Sequence, residues 1–343
     1  MATIKDVAKA AGVSTATVSA VANDSAYVSP QLRARVQDAI RELGYAPSQL
    51  ARNLRRGRSE LIAIAVADLA NPFYARVVCA AEAAVAAWGY SLVVFNSDEK
   101  PEVEKRILGK VHMLGCEGLV LVPVGDSILT SQRDADGSRM PTVLFGRTIK
   151  NDRLDAVTID NFSAGFQATS YLTDLGHVHI GAINGPMHFS TGRERFEGMQ
   201  AALAARGLIL DNRFVRPGEF REEAAYSAAR SLLAQPERPT AIYVASGLMA
   251  LGVMRAIGDA GLKCPEEISV ASTDNIPGVR GLKPALTRTE HPIVDMVDEA
   301  IRLLIDRIKK NYLQEGRILV FQPALVVGNS CSPVSRRSLT KTL

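Results

Sequence analysis

Cysteine is scarce: Cys79, Cys116, Cys264 and Cys331 lie far apart and show no metal-ligand spacing. That argues against a disulfide framework or a zinc site and predicts buried free thiols in a reducing compartment. Long apolar runs are missing too. None reaches the length of a membrane span, and Lys5, Asp6 and Lys9 stand where a secretion signal needs an apolar core, so a cytoplasmic protein without a membrane partner is expected. Catalytic templates are absent: no glycine-rich loop closes on Gly-Lys-Ser/Thr, and there is no His-Glu-x-x-His and no nucleophile elbow. An enzyme, a cofactor and a metal therefore have little support. His177 and His179, two apart on the approach to a strand, read as packing or turn residues rather than ligands. The last stretch, "SCSPVSRRSLTKTL", lacks heptads and predicts no coiled coil.

What is present is an ordinary soluble composition, 47% hydrophobic and 22% charged, in a chain of 343 residues. That length suits a small module plus a large domain with a deep core. The net charge of +4 becomes informative once divided. Residues 1–59 hold nine cations against four anions, which leaves the remainder about neutral. A basic front on a neutral body points to a polyanion, nucleic acid ahead of an anionic membrane.

The front reads as three short helices. Thr3 and Asp6 form a capping pair, and Ile4, Val7, Ala8 and Ala11 recur at helical spacing until Gly12. Ser14 caps a second helix whose inner stripe is Val18, Val21 and Ala22, with Val13 as a staple. Ser29 and Pro30 open a third, carried by Leu32, Val36, Ala39, Ile40 and Leu43 to Gly44. Two helices joined by a tight glycine turn suit a helix-turn-helix, although the pattern alone equally suits any small three-helix domain. Charge favours DNA. "PSQLARNLRRGRS", residues 47–59, adds about two turns of arginine-rich helix, too short to be stable without a partner.

From residue 61 onward, short runs such as "LIAIAVADL", "GLVLVP", "TAIYVA" and "ILVFQPALVVGN" alternate with helical patterns. Near-continuous apolar strands separated by helices imply parallel sheet covered on both faces. About 270 residues exceed one comfortable core, so two doubly wound lobes are expected, with ligand held at the strand C-termini. "INGPMHFSTGRERFEG" leaves a strand, crosses a Gly-Pro loop and opens a helix near Ser190 and Thr191, where free N–H groups favour hydroxyls or anions.

"TIKDVAKAAGVSTATVS", "VSPQLRARVQDAIRELGYAPSQLARNLRRGRS" and the body behind them, from about Thr3 to about Asn329, resemble the lactose-repressor/galactose-repressor (LacI/GalR) family of bacterial transcription regulators. The resemblance implies an N-terminal all-α helix-turn-helix domain with a hinge helix, and an α/β two-lobed periplasmic-binding-protein-like effector domain. The expected domains are residues 1–46, the hinge 47–59, the effector-binding and dimerisation body 60–330, and a basic, disordered tail 331–343. The lobes would split at about Asn161 and cross again near His291 and Gln322.

The same resemblance implies DNA contacts from Thr3, Ser14, Thr15, Ala16, Thr17, Ser19, Ala20 and Asn23. Leu50, Ala51, Arg52, Leu54 and Arg55 would follow from the hinge, with Leu54 wedged into the minor groove. Thr15, Ala16 and Ala20 would face the bases. The family more often has arginine where Ala20 stands, and alanine cannot make the bidentate contact to guanine, so direct readout is expected to be thin. The alternative is that these alanines simply favour helix on a solvent face. Effector contacts would come from Asn71, Phe73, Arg147, Phe189, Thr191, Arg195, Ser246 and Asp274. Against this, Arg195 and Asp274 would serve equally as a pair, and Phe73 and Phe189 as core aromatics.

Three departures concern the pocket: Ser246-Gly247 replaces the family's Asn-Asp, Gly146 its aspartate, and "STD" its "GYD". Lost carboxylates beside retained arginines tilt the expected effector from a sugar toward a sugar acid or sugar phosphate. The expected partners are double-stranded operator DNA, that small effector and a second copy of the chain. The Ala/Val-rich helix after "NPFY", with Val77, Val78, Ala80, Ala81, Ala84 and Val85, reads as core or as a dimer face. An effector that separates the hinges would act as inducer, and one that holds them close as corepressor. The rivals are a transporter's solute-binding protein, which lacks a basic helical front, and an enzyme on a similar two-lobed fold.

Overall fold

A computed structural model describes residues 2–23, 27–45, 58–125, 140–149, 154–274, 283–310 and 315–334. The chain divides into two compact units, Met1–Glu60 and Leu61–Leu343.

In the first unit, helices α1 (Ile4–Ala11), α2 (Thr15–Asn23) and α3 (Pro30–Glu42) follow the expected punctuation. Thr3 and Asp6 complete a reciprocal capping box, and Gly12 takes the left-handed conformation (φ +62°) that ends α1. Val7, Ala11, Val18, Val21, Val36 and Ala39 form the core, with Val13 packed against it. Ser29 and Pro30 open α3 as expected, but two details differ: Ala22 is only half-buried, and Leu43, at the C-cap, is exposed. Arg35 donates to the Ala11 carbonyl and so ties α3 to the end of α1.

The second unit holds two six-stranded sheets. Lobe 1 is built from β1 (Leu61–Val66), α4 (Pro72–Ala86), β2 (Ser91–Asn96), α5 (Pro101–Met113), β3 (Gly118–Leu121), β4 (Thr142–Phe145) and β5 (Asp155–Ile159). Lobe 2 follows with α6 (Asn161–Asp174), β6 (Ile180–Asn184), α7 (Ser190–Ala204), β7 (Val215–Pro217), α8 (Glu222–Leu233), β8 (Ala241–Val244), α9 (Gly247–Asp259), β9 (Ser269–Thr273) and β10 (Thr287–Glu290). The chain then returns through α10 (Ile293–Lys310) and β11 (Ile318–Phe321) to the edge of the first sheet. It ends as β12 (Ala324–Val326) at the edge of the second. The single apolar run 318–329 is thus two strands in two sheets, broken at Gln322-Pro323 because proline cannot continue a ladder.

Every pairing is parallel except β10 with β12. In β1, β3, β4, β5, β6, β8 and β9 almost every residue is buried, the signature of strands covered on both faces. Val77, Ala81 and Val85 of α4 are buried, while Val78, Ala80 and Ala84 are partly covered. β7 and β10 escape the sequence pattern because one has three residues and the other, "TRTE", is polar.

Two expectations are corrected. The body runs past residue 330 to at least Val334: Ser332 N donates to Ser269 Oγ at 3.1 Å, Val334 N donates to the Leu175 carbonyl, and His177 Nε2 bonds the Ser332 carbonyl at 3.0 Å. Residues 331–334, expected in the tail, therefore pack with the body. The thiols are all free, but Cys79 is exposed and only Cys116 is fully buried. The i, i+4 spacing that sends Val77, Ala81 and Val85 inward turns Cys79 outward. His177 is buried with both ring nitrogens bonded, its second partner being Thr240 Oγ1, and burial lowers its pKa. Among the described residues no helix is long and apolar enough to cross a membrane, and no cluster of ligating side chains could hold a metal.

Candidate functional site

Two surfaces carry the chemistry, one in each unit. In the first unit, Ser14 Oγ accepts from Thr17 N at 3.1 Å and lies 3.0 Å from Thr17 Oγ1. Both hydroxyls therefore serve the start of α2, as Thr3 serves that of α1. Thr15 and Ala16 are exposed, whereas Ser19 and Ala20 are half-buried. The open crest of α2 is thus one hydroxyl and one methyl wide at its start. Asn23 ends the helix, and its side chain lies outside the described residues, as do Leu50, Ala51, Arg52, Leu54 and Arg55.

In the second unit, a cleft between the lobes encloses ≈ 540 Å³, open solvent at its mouth included. Its lobe 2 wall begins with two helices in backbone contact. A Cβ on Gly165 of α6 would fall 2.0 Å from the Arg195 carbonyl oxygen of α7, and one on Gly198 would fall 2.0 Å from the Phe162 carbonyl. This approach sets Arg195 into a buried ring of acceptors. Its Nε donates to Asn161 Oδ1 at 2.9 Å and its Nη1 to the Ala245 carbonyl at 2.7 Å. Nη1 and Nη2 reach the Asp274 carboxylate at 3.3 and 3.4 Å. Asp274 also receives His291 Nδ1 at 3.0 Å. Burial pushes the Asp274 pKa up, but Arg195 and His291 outweigh it and bring it to about 2. The residue is held at φ +77°.

Lobe 1 supplies the facing wall. Arg147 is buried, with Nη1 and Nη2 each 2.7 Å from an oxygen of Glu99. Its guanidinium lies 3.7 Å from the ring centre of Phe189, which belongs to lobe 2. Thr148 N donates to Ser190 Oγ at 3.1 Å, a second bond across the lobes. Asn71 Oδ1 caps α4 through Phe73 N at 3.0 Å, and Ser246 Oγ caps α9 through Met249 N at 3.3 Å. Phe73 meets His291 edge to face at 6.0 Å. Two buried polar atoms on the lining have no partner: Thr191 Oγ1 and His291 Nε2. Leaving such an atom unbonded is costly, which marks both as places where a ligand's polar group fits.

Residues 3–48 match the family model described as "Bacterial regulatory proteins, lacI family", and residues 169–331 match that of a "Periplasmic binding protein-like domain". The HTH-type transcriptional repressor PurR of Edwardsiella ictaluri (strain 93-146) is 34% identical over 328 residues, 95% of this chain and 96% of its own. The chain belongs to the lacI family of bacterial regulators. It is a ligand-responsive transcriptional regulator and not an enzyme. Within the lacI family, the ribose operon repressor of Escherichia coli (strain K12) is 35% identical over 93% of this chain and 96% of its own. The solved Lac repressor dimer bound to operator and the anti-inducer ONPF superposes with a TM-score of 0.84 at 25% identity, covering 96% of this chain and 99% of that one.

Of the effector residues expected from the family pattern, Asn71, Phe73, Arg147, Thr191, Arg195, Ser246 and Asp274 line the one cleft. Phe189 stands behind it, stacked on Arg147. The expected surplus of positive charge is not there, because Glu99 neutralises Arg147 and Asp274 neutralises Arg195. Glu99, Phe220 and His291 also line the cleft and were missed as contacts. Glu99 and Phe220 sit just past strand ends in left-handed backbone (φ 58° and 52°), where no periodic pattern marks a residue. The family pattern marks His291 only as a lobe crossover.

Proposed function

We propose that this lacI-family regulator binds a palindromic operator as a homodimer, reading it with α2 and the segment 47–59, and that a small, uncharged polyhydroxylated effector in the cleft switches it. The observation that carries the effector class is the pairing of both cleft arginines with carboxylates beside two unpartnered polar atoms. An anionic effector would have to displace Glu99 or Asp274 from a buried guanidinium. A neutral sugar needs only hydrogen bonds to Thr191 Oγ1, His291 Nε2 and the free lone pairs of Asp274, with Phe73 and Phe220 offering apolar faces to its ring. The ribose operon repressor and a Lac repressor that binds operator as a dimer lend support.

On this reading Asn71, Arg147, Arg195 and Ser246 complete the effector shell, and Thr3, Ser14, Thr15, Ala16, Thr17, Ser19, Ala20 and Asn23 the DNA face. The effector bridges the lobes, changes their angle and thereby the spacing of the two 47–59 segments, which releases or secures the operator.

The test is a mobility shift of the full chain on a fragment of its own promoter, titrated with neutral sugars, starting with D-ribose, and with sugar phosphates. The proposal expects a shift that a neutral sugar alters and sugar phosphates do not. A shift altered only by a phosphorylated sugar overturns the effector class, and no shift on any promoter fragment overturns the whole reading.

A further inference from the structure

Outside the effector shell, one group of charges joins the two lobes. Asp68 follows β1 and Asp98 follows β2, both in lobe 1, while Arg221 stands at the N-cap of α8 in lobe 2. Arg221 Nη1 donates to Asp68 Oδ2 at 2.7 Å and Nη2 to Asp98 Oδ1 at 3.0 Å. Each carboxylate is also fixed within its own lobe. Asp68 Oδ1 accepts Ala70 N at 2.9 Å, and Asp98 Oδ2 takes Lys100 Nζ at 2.7 Å. The acceptors are therefore set in place before Arg221 arrives, which lowers the ordering cost of the contact.

The neighbours of these residues matter more than the pairs themselves. Asp98 precedes Glu99, which grips Arg147, and Arg221 follows Phe220, which lines the cleft. Asp98, Glu99, Glu219 and Phe220 all have left-handed backbone, with φ between 51° and 58°. Such non-glycine positions persist only where the surroundings hold them. Gly185 provides part of that hold, because it lets the Phe220 ring lie against its backbone: a Cβ there would fall 2.1 Å from the ring. Two strained dipeptides, one per lobe, thus face each other at the cleft mouth, joined by Arg221 and by the stack of Arg147 with Phe189.

We propose that Arg221 is an inter-lobe latch. Opening the cleft requires both of its charge-assisted hydrogen bonds to break, and Phe220 draws away from the lobe 1 wall with it. Opening is then sensitive to ionic strength, because the Arg221 side chain is 37% exposed and the Asp98 side chain 43%. The latch acts on the ligand-free protein and does not depend on which effector the cleft accepts.

Hydrogen exchange on the full chain without effector provides the test, read at the Thr148 amide, whose bond to Ser190 also crosses the lobes. Arg221→Ala should speed exchange there about tenfold, a modest figure for a charged pair that solvent partly screens. Asp68→Asn, which leaves the bond to Asp98 in place, should speed it less, and the double variant should be no faster than Arg221→Ala alone. Wild type in 1 M KCl should approach the variant, which salt should leave unchanged. Arg213→Ala, which removes pairs to Asp211 and Glu237 inside lobe 2, serves as control and should leave Thr148 untouched. Additive single effects, or unchanged Thr148 exchange in a folded Arg221→Ala or Asp68→Asn protein, would overturn the latch. Should Arg221→Ala not fold, Arg221→Gln with Asp68→Asn decides the matter.

Discussion

The guanidinium of Arg195 and the carboxylate of Asp274, 79 positions apart in sequence, meet at 3.3 Å in a site that excludes nearly all solvent from both. Each is the other's main counter-charge. Because the Asp274 pKa falls from 3.8 to about 2 on folding, its ionised form stabilises the fold at every pH above the unfolded value. That contribution, about 2 kcal/mol, is lost as pH drops from ~4 toward ~2. Thermal melts of Asp274→Asn should be flatter than wild type across this window. At neutral pH the variant should be less stable by ~3 kcal/mol, since Arg195 keeps a buried charge without its partner. Equal slopes for the two proteins would remove Asp274 from the acid transition.

The close packing of α6 on α7 leads to a second expectation. Gly165→Ala places a methyl group 2.0 Å from the Arg195 carbonyl, which is backbone and cannot swing away. The helices must separate, at a cost of roughly 1–3 kcal/mol, and Arg195 must shift with α7. Effector affinity should fall along with stability. At Gly109 of α5, where a Cβ meets nothing within 4 Å, the same substitution should slightly raise stability and leave binding alone. Chemical denaturation and a binding titration on both variants check this.

These two residues also show how far the sequence could be read. Glycine in α6 was visible, but the carbonyl that needs it lies on another helix, so only the three-dimensional crossing reveals its role. The strand runs, the helix caps at Thr3 and Ser14 and the alternation that builds two lobes rest on local periodicity, and local periodicity is what a sequence displays. Arg195 and Asp274 were legible only through a family pattern. Glu99 was not, because its pairing with Arg147 joins residues 48 apart through a strained turn. Missing it made the cleft look cationic, and the geometry reverses that inference.

On the proposed DNA face, the exposed start of α2 presents Thr15 and the Ala16 methyl. Alanine can touch a thymine methyl but cannot satisfy guanine's paired acceptors, so selection from a random operator library should show weak base preference opposite Ala16 and Ala20. Ala20→Arg should introduce a guanine preference of about 1–3 kcal/mol at one symmetric pair of positions. Ala20 is half-buried, which leaves a long side chain room to leave the helix toward solvent. A strong guanine requirement opposite Ala20 in the wild-type protein would contradict this account.

Specificity is then expected to lean on Thr15, Thr17 and Asn23 and on the deformable centre of the operator, where the resemblance places the Leu54 wedge. A leucine between base steps exchanges unstacking for a bend, and only flexible steps make that exchange favourable. Leu54→Ala should therefore weaken specific operator binding by about an order of magnitude or more, equivalent to ~1.4 kcal/mol, and narrow the gap to non-specific DNA. Effector affinity should not change, because every cleft residue belongs to the separate unit Leu61–Leu343. Circular dichroism gives an independent reading. A segment of two turns gains helix only with a partner, so adding operator to the full chain should raise helicity in the wild type and less so in Leu54→Ala. Residues 48–56 already helical in the free protein, or operator binding unchanged by Leu54→Ala, would separate DNA release from the order of this segment and leave the cleft to act by another route.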